Sequence, residues 1–325
     1  MADPSEDWAF PDNLQPRPEE FGFDLEAALD SLVQVRAEIP EDAFTAPILG
    51  TERAGNGVVI REDGLVLTIG YLITEASAIW LTTNKGGAVA GHPLAYDQAT
   101  GFGLVQPLGR LDLRPLPRGS TASCRVGNDV VVAGHGGLEH ALKATIVAKR
   151  EFAGYWEYVL DEAVFTAPAH PQWGGAALLG EDGRLLGIGS LLAQETVGGK
   201  TVQGNMMVPI DLLEPILEDM ATLGRSKRPP RPWLGMYAAE TAGYVAVAGL
   251  SNGGPAARAQ LQPGDILLEV AEQRVSGLAD LFRKIWRLGP AGTEVPLTIS
   301  RDGAVSRILV RSADRQDFLK KPYLH

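Results

Sequence analysis

The sequence predicts a mainly β protein of two domains, on three observations. Short apolar runs recur along most of the chain and are bounded by Gly, Pro and Asp-Gly signals, the punctuation of strands and turns. Three of those signals, Glu62-Asp63-Gly64, Glu181-Asp182-Gly183-Arg184 and Arg301-Asp302-Gly303, each sit between two apolar runs, as hairpin turns do. A basic Pro-rich stretch, Arg225-Ser226-Lys227-Arg228-Pro229-Pro230-Arg231-Pro232, separates a long first part from a compact second one and reads as a semi-rigid exposed linker. With 325 residues, 45% of them apolar, the chain is long enough for two domains and a sizeable core.

Composition excludes several function classes. A net charge of -11 argues against a nucleic-acid partner, because phosphate binding rests on Lys and Arg. Nothing looks fibrous or membrane-spanning. The N-terminus is acidic and Pro-rich, without the basic start and apolar run of a signal peptide. One cysteine, Cys124, excludes an internal disulfide framework and suits a reducing compartment. The expectation is a cytoplasmic protein.

Residues 1–22, rich in Pro, Asp and Glu, read as a disordered acidic arm. Residues 23–30 predict a short amphipathic helix, and 32–39 alternate apolar and polar positions as a half-buried strand does. Residues 57–60 and 65–68 flank the first turn signal and predict a hairpin. Residues 144–148 predict a long strand, and 164–192 a strand, a tight Gly-rich loop, a second strand, a turn and a third strand. Asp211 reads as the N-cap and Gly224 as the stop of a helix whose apolar face is Leu212, Leu213, Ile216, Leu217 and Met220. Beyond the linker come a strand at 243–249, a short helix opened by Pro255, a helix at 279–288, and strands at 295–300 and 305–310.

Five blocks of the first part, in order, carry a resemblance. Gly57-Val58-Val59-Ile60 with its Asp-Gly turn resembles G-S-G-V-V-I-x-x-D-G-x-I-L-T-N-N-H-V-V. Residues 97–105, DQATGFGLV, match D-x-x-T-D-L-A-L-L in spacing. Residues 126–138 resemble G-D-x-V-x-A-I-G-x-P-x-G-L, and Pro171-Gln172-Trp173-Gly174-Gly175-Ala176 falls on G-N-S-G-G-P. Met206-Met207-Val208-Pro209-Ile210-Asp211 resembles the closing F-A-I-P-I-D. These are motifs of the HtrA (Deg) family of trypsin-fold serine proteases, and the likeness runs from about residue 30 to 224. It implies a trypsin-like double β-barrel.

The resemblance puts the catalytic histidine at Tyr71, the orienting aspartate at Gly101 and the nucleophilic serine at Trp173. Tyrosine titrates near pH 10 and is a poor base at neutral pH, glycine has no side chain, and an indole cannot attack a carbonyl. All three triad positions are vacated. Trp173 would also obstruct the pocket in which a carbonyl oxygen meets backbone donors. Asp97 reads as a turn cap.

Other residues could rebuild a site. Of the histidines His92, His135, His140, His170 and His325, the resemblance sets His135 and His170 on loops near the old cleft, so they are the candidate bases; a lone loop histidine is more often solvated surface. His135, Glu139 and His140 do not have metal-site spacing, and Cys124 reads as a small buried hydrophobe. No metal and no cofactor is expected.

The second part resembles a PDZ domain of the bacterial HtrA type. Residues 254–266, GPAARAQLQPGDI, follow S-P-A-x-x-A-G-L-x-x-G-D-x-I, with Gln260 in place of Gly. By the resemblance, Trp233-Leu234-Gly235-Met236 is the loop that receives a peptide carboxylate on backbone N–H groups, and its donors should face the start of the 279–288 helix. Leu278, Leu281 and Ile285 recur at helical spacing and are either pocket lining or domain core. The chain end Pro322-Tyr323-Leu324-His325 is a candidate ligand for that loop or a frayed tail.

The domains expected are a trypsin-like one at 23–224, the linker at 225–232, a PDZ domain at 233–312 and a tail at 313–325. The expected function is that of a pseudoprotease, not an enzyme, which binds protein or peptide C-termini through its PDZ domain in a chaperone- or scaffold-like role in protein quality control. The resemblance also suggests a homo-oligomer, a trimer. The alternative is a residual serine-type endopeptidase, or other hydrolase, with a relocated nucleophile; it alone needs a base within reach of a nucleophile.

Overall fold

A computed structural model describes residues 8–241 and 243–321. Asp24 accepts a hydrogen bond from Ala27 N–H and so starts a short helix, α1 (Leu25–Leu29), which two residues separate from β1 (Leu32–Glu38). The alternation read in β1 is realised, since Val33, Val35 and Ala37 are buried while Arg36 and Glu38 are exposed.

The first barrel adds β2 (Glu52–Val59), β3 (Val66–Ile69), β4 (Ala78–Thr83), β5 (Ala88–Tyr96) and β6 (Phe102–Pro107), with a one-turn helix α2 (Ala46–Leu49) between β1 and β2. It closes in the order β1-β2-β3-β6-β5-β4. Closure removes sheet edges, and Val35, Val66, Ile79, Leu81 and Val105, which the strand register sets on one face, are all buried. The second barrel comprises β7 (Asp129–Ala133), β8 (Ala141–Gly154), β9 (Tyr158–Ala167), β10 (Ala177–Leu179), β11 (Leu185–Val197) and β12 (Lys200–Pro209), closed as β10-β11-β12-β9-β8-β7. Val130, Val132, Ile146, Val164, Leu178 and Met207 form its core, with Cys124 packed partly buried against it.

Asp211 does not cap a helix. Its carboxylate accepts from Thr121 N–H and Thr121 Oγ1, both at 2.8 Å, and from Ser120; residues 210–212 form a single 3-10 turn, and α3 begins only at Leu217 (Leu217–Leu223), ending at Gly224 in the left-handed conformation. Two hydroxyl residues far off in sequence outcompete the local cap. The acidic arm also departs from expectation from residue 8 onward. Phe10 N–H donates to Glu139 O (2.9 Å), Lys143 N–H to Leu14 O (2.8 Å), and Lys143 pairs with Glu20 (2.6 Å). A polar, Pro-rich composition hides Trp8 and Phe10, whose rings meet His170 edge-on at 5.8 and 5.1 Å.

The compact units are discontinuous in sequence. One comprises Met1–Arg150, Glu162–Ser226 and Lys320–His325; the other comprises Glu151–Asp161 and Lys227–Leu319. The second unit thus takes in the end of the β8–β9 hairpin, a transfer that contiguous sequence boundaries miss. Its sheet runs β13-β14-β15-β17-β18, from β13 (Met236–Thr241), β14 (Tyr244–Leu250), β15 (Ile266–Val270), β17 (Glu294–Arg301) and β18 (Ala304–Arg311), with β16 (Gln273–Arg274) paired to β15. Helices α4 (Pro255–Arg258) and α5 (Leu278–Arg287) cover it, and Leu281, Phe282 and Ile285 of α5 are fully buried. The linker lies along this unit. Ala291 N–H donates to Pro230 O (2.9 Å) and the Arg231 guanidinium sits 4.1 Å over Trp286.

Gln260, where the resemblance has Gly, adopts φ +64°, and its carbonyl accepts from Arg301 Nη2 (3.0 Å). The backbone therefore keeps the left-handed turn that a glycine would favour.

Candidate catalytic cleft and carboxylate-binding loop

The loop at 171–176 is held by Asn56 of β2. Asn56 Nδ2 donates to Gln172 O (2.8 Å) and Gly174 O (3.3 Å), Asn56 N–H donates to Gly174 O (2.8 Å), and Asn56 Oδ1 accepts from His135 N–H (2.7 Å). One buried amide thus ties strands and loops of both barrels together. Gly175 (φ +76°) is required by this closeness, since a Cβ there would stand 1.9 Å from Asn56 O. Pro171 has no N–H, and Gln172 N–H donates to His170 Nδ1 (3.1 Å), so neither backbone position is a donor left open to an oxyanion.

Tyr71 stands on the 3-10 turn Gly70–Leu72 after β3, and its hydroxyl donates to Ser190 O (3.0 Å). Burial holds the phenol far above its usual range, against a weaker pull from a side-chain hydrogen bond with Trp173. Tyr71 and Trp173 are therefore neighbours, but as two aromatics and not as a base and a nucleophile. Gly101 sits at φ +85° and its carbonyl accepts from Gly70 N–H (2.7 Å). Asp97 caps the preceding turn through Thr100 N–H and Oγ1, both at 2.8 Å.

His170 is sealed from solvent. Its Nδ1 accepts from Gln172 N–H, so Nε2 carries the proton and donates to His140 O (3.0 Å). Burial depresses its pKa to about 4, which keeps the ring neutral. His135 is half-buried and its pKa is likewise lowered by burial; its Nε2 is buried with no hydrogen-bond partner among the described residues. Among those residues no His, Cys, Asp and Glu cluster could hold a metal ion.

The second candidate site lies in the other unit. Gly235 (φ +71°) bends the chain so that successive N–H groups converge. They converge on Glu157. Leu234 N–H reaches its two carboxylate oxygens at 3.1 and 3.0 Å, Gly235 N–H reaches it at 2.7 Å and Met236 N–H at 3.0 Å. Burial pushes the Glu157 carboxyl up to about 7, while the three N–H donors and Arg315 hold it down. All three donors are therefore engaged within the chain by Glu157, while Leu278 N–H, at the start of the long helix, is taken by Glu240 (3.0 Å). Leu234, Met236, Leu281 and Ile285 are buried in the domain core, Leu278 packs at its margin, and Trp233 lies against Phe318 with ring centres 4.8 Å apart. The candidate ligand 322–325 lies outside the described residues.

Sequence reasoning missed Glu157. An acid among Tyr155, Trp156 and Tyr158 is a local oddity, but nothing nearby in sequence names a partner 77 positions away.

A model of the trypsin-like peptidase domain matches residues 55–188, and a PDZ domain model matches 232–311. A probable periplasmic serine endoprotease DegP-like of Halomonas elongata is 26% identical over 279 residues, covering 82% of this chain and 57% of that protein. The serine endoprotease DegS of Haemophilus influenzae is 23% identical, with 81% and 77% covered. The chain joins a trypsin-like peptidase domain to a PDZ domain and is similar to HtrA/Deg proteins. Among solved structures, the HtrA-type protease AlgW with tripeptide superposes with a TM-score of 0.54 at 17% identity, covering 95% of this chain and 99% of that one, and a serine endoprotease from Yersinia pestis gives 0.53 at 20%, covering 90% and 98%. At those identities the likeness is one of fold, and it matches the double barrel followed by a PDZ domain.

Two expectations are overturned. HtrA/Deg relatives of this chain are named serine endoproteases, which contradicts the reading that it is not an enzyme; reading three vacated positions as the absence of all activity went further than those positions reach. The DegP-like relatives are also named periplasmic, against the cytoplasmic expectation. A single cysteine is compatible with an oxidising compartment, because a disulfide is not obligatory there. Among the described residues no helix is long and apolar enough to cross a membrane. The chain spans little more than half the length of several of these relatives.

Proposed function

We propose that this chain is a peptide-binding member of the HtrA/Deg endoproteases that captures polypeptide C-termini on its PDZ loop, and that hydrolysis, the activity in its relatives' names, runs through groups other than positions 71, 101 and 173. The observation that carries the reading is the convergence of the Leu234, Gly235 and Met236 N–H groups on one carboxylate. A loop that satisfies a side-chain carboxylate with backbone donors has the chemistry to hold a terminal one, and β13 at the sheet edge gives an extended peptide a strand to pair with. Gly235, Leu234 and Met236 supply the donors; Trp233, Leu278, Leu281 and Ile285 fix the shape around them.

The restriction on the cleft is chemical. A phenol held protonated by burial is no base, and an indole is no nucleophile. A relocated nucleophile is the reading that the relatives' endoprotease names favour. Casein turnover by the full chain, by Tyr71→Phe and by Trp173→Phe tests this. Turnover at the wild-type level in both variants is expected; a loss beyond tenfold in either, with the fold intact, puts those side chains in the chemistry and overturns it. The same reading includes a homo-oligomer, a trimer by family resemblance, which sedimentation equilibrium checks.

A further inference from the structure

The carboxylate on the PDZ loop belongs to the chain itself, and its neighbours make the match more than a single hydrogen-bonded group. Two residues before Glu157, Tyr155 O accepts a hydrogen bond from Ala238 N–H (2.9 Å), the next outward-facing donor along edge strand β13. A carboxylate on the loop and a carbonyl two residues earlier on the edge strand are the two backbone anchors of an extended C-terminal ligand. The Tyr155 ring lies 5.9 Å from that of Tyr237 on β13. Val159, two residues past the acid, is buried in the same core as Leu234, Met236, Leu281 and Ile285. Arg283 of α5 pairs with both Glu151 and Asp161, at the two ends of the segment.

We infer that residues 151–161 are an intramolecular ligand of the PDZ groove, with Glu157 in the place of a peptide's terminal carboxylate, so that an external C-terminus enters only by displacing this hairpin end. The inference rests on the capture reading above for what the groove binds, and adds that the groove is already filled. The two strands that carry the segment, β8 and β9, are strands of the second barrel, so displacement moves an element covalently continuous with that barrel. Removing Glu157 leaves the three loop donors without an acceptor and leaves Tyr155 as the remaining backbone anchor.

Backbone hydrogen exchange of the full chain tests this. In Glu157→Ala the amides of Leu234, Gly235, Met236 and Ala238 are expected to exchange at least tenfold faster than in the wild type. Glu157→Gln, which keeps the volume and one acceptor, should fall between them. Unchanged exchange at all four amides in a folded Glu157→Ala protein overturns the inference. Should that variant fail to fold, Arg283→Ala removes only the flanking ion pairs; faster exchange at the same amides supports the docking and unchanged exchange overturns it. A decapeptide ending in a free-carboxylate valine separates this inference from the one beneath it. Faster exchange in Glu157→Ala without peptide binding keeps the docked hairpin and removes C-terminal capture. Equal peptide affinity in the wild type and in Glu157→Ala, with binding present, means that the hairpin does not compete, and the inference fails.

Discussion

His170 illustrates how far a single residue's role depends on its surroundings. As a sequence position it is one of two candidate bases; in the structure it is a neutral, buried strut whose two ring nitrogens are already engaged. Its pKa falls from 6.5 unfolded to about 4 folded, so it contributes stability above pH 6.5 that is lost as pH drops through its folded value. The size is about 3 kcal/mol, at roughly 1.4 kcal/mol per unit. Urea unfolding at pH 7 and pH 4.5 should therefore show a steeper acid loss in the wild type than in His170→Gln. The difference between the proteins isolates the histidine from Glu157, whose raised pKa acts in the opposite direction, its stability being lost as pH rises toward 7. Parallel losses would contradict a neutral buried ring. Gly101 and Gly175 give a second test. Gly101→Asp places a side chain at φ +85° and should cost about 1–2 kcal/mol, while Gly175→Ala also collides with Asn56 O and should cost more, about 3 kcal/mol or above. Thermal unfolding of the two variants checks the order. The glycines were readable as loop residues; that Gly175 abuts a strand 119 positions earlier was not.

At the scale of elements, turn chemistry carried most of the reading. The Asp-Gly turns lie where their apolar flanks place them, and the hairpin at 57–68 pairs Val58 with Leu67. The reading failed where a long-range polar partner displaced a local one. Asp211 turned from helix cap to acceptor for Ser120 and Thr121, and Glu75, a residue with no motif, became a buried junction. Its carboxylate accepts from Phe44 N–H (2.9 Å), Thr45 N–H (2.7 Å), Thr45 Oγ1 (2.6 Å) and Lys320 N–H (2.8 Å). Burial works to raise its pKa, and these donors outweigh that. Glu75→Ala leaves several buried donors unmet and should cost about 2–4 kcal/mol in denaturant unfolding. A cost under about 0.5 kcal/mol would mean that water replaces the carboxylate.

For the whole molecule, the order of two domains was legible because each carries several motifs in sequence order, and family models match both regions. The contiguous division was not, because 151–161 leave the barrel strands that carry them and join the other unit. Only the fold brings Glu157 to Gly235, so no spacing in the chain could reveal a filled carboxylate loop. The central claim is that this loop recognises a free carboxylate. Its most direct test is a titration of the full-length Glu157→Ala protein, in which the loop donors have lost their internal acceptor, with one decapeptide in free-acid and amidated forms. Binding of the acid at least tenfold tighter than the amide is predicted; equal binding of the two forms, or binding of neither, contradicts it.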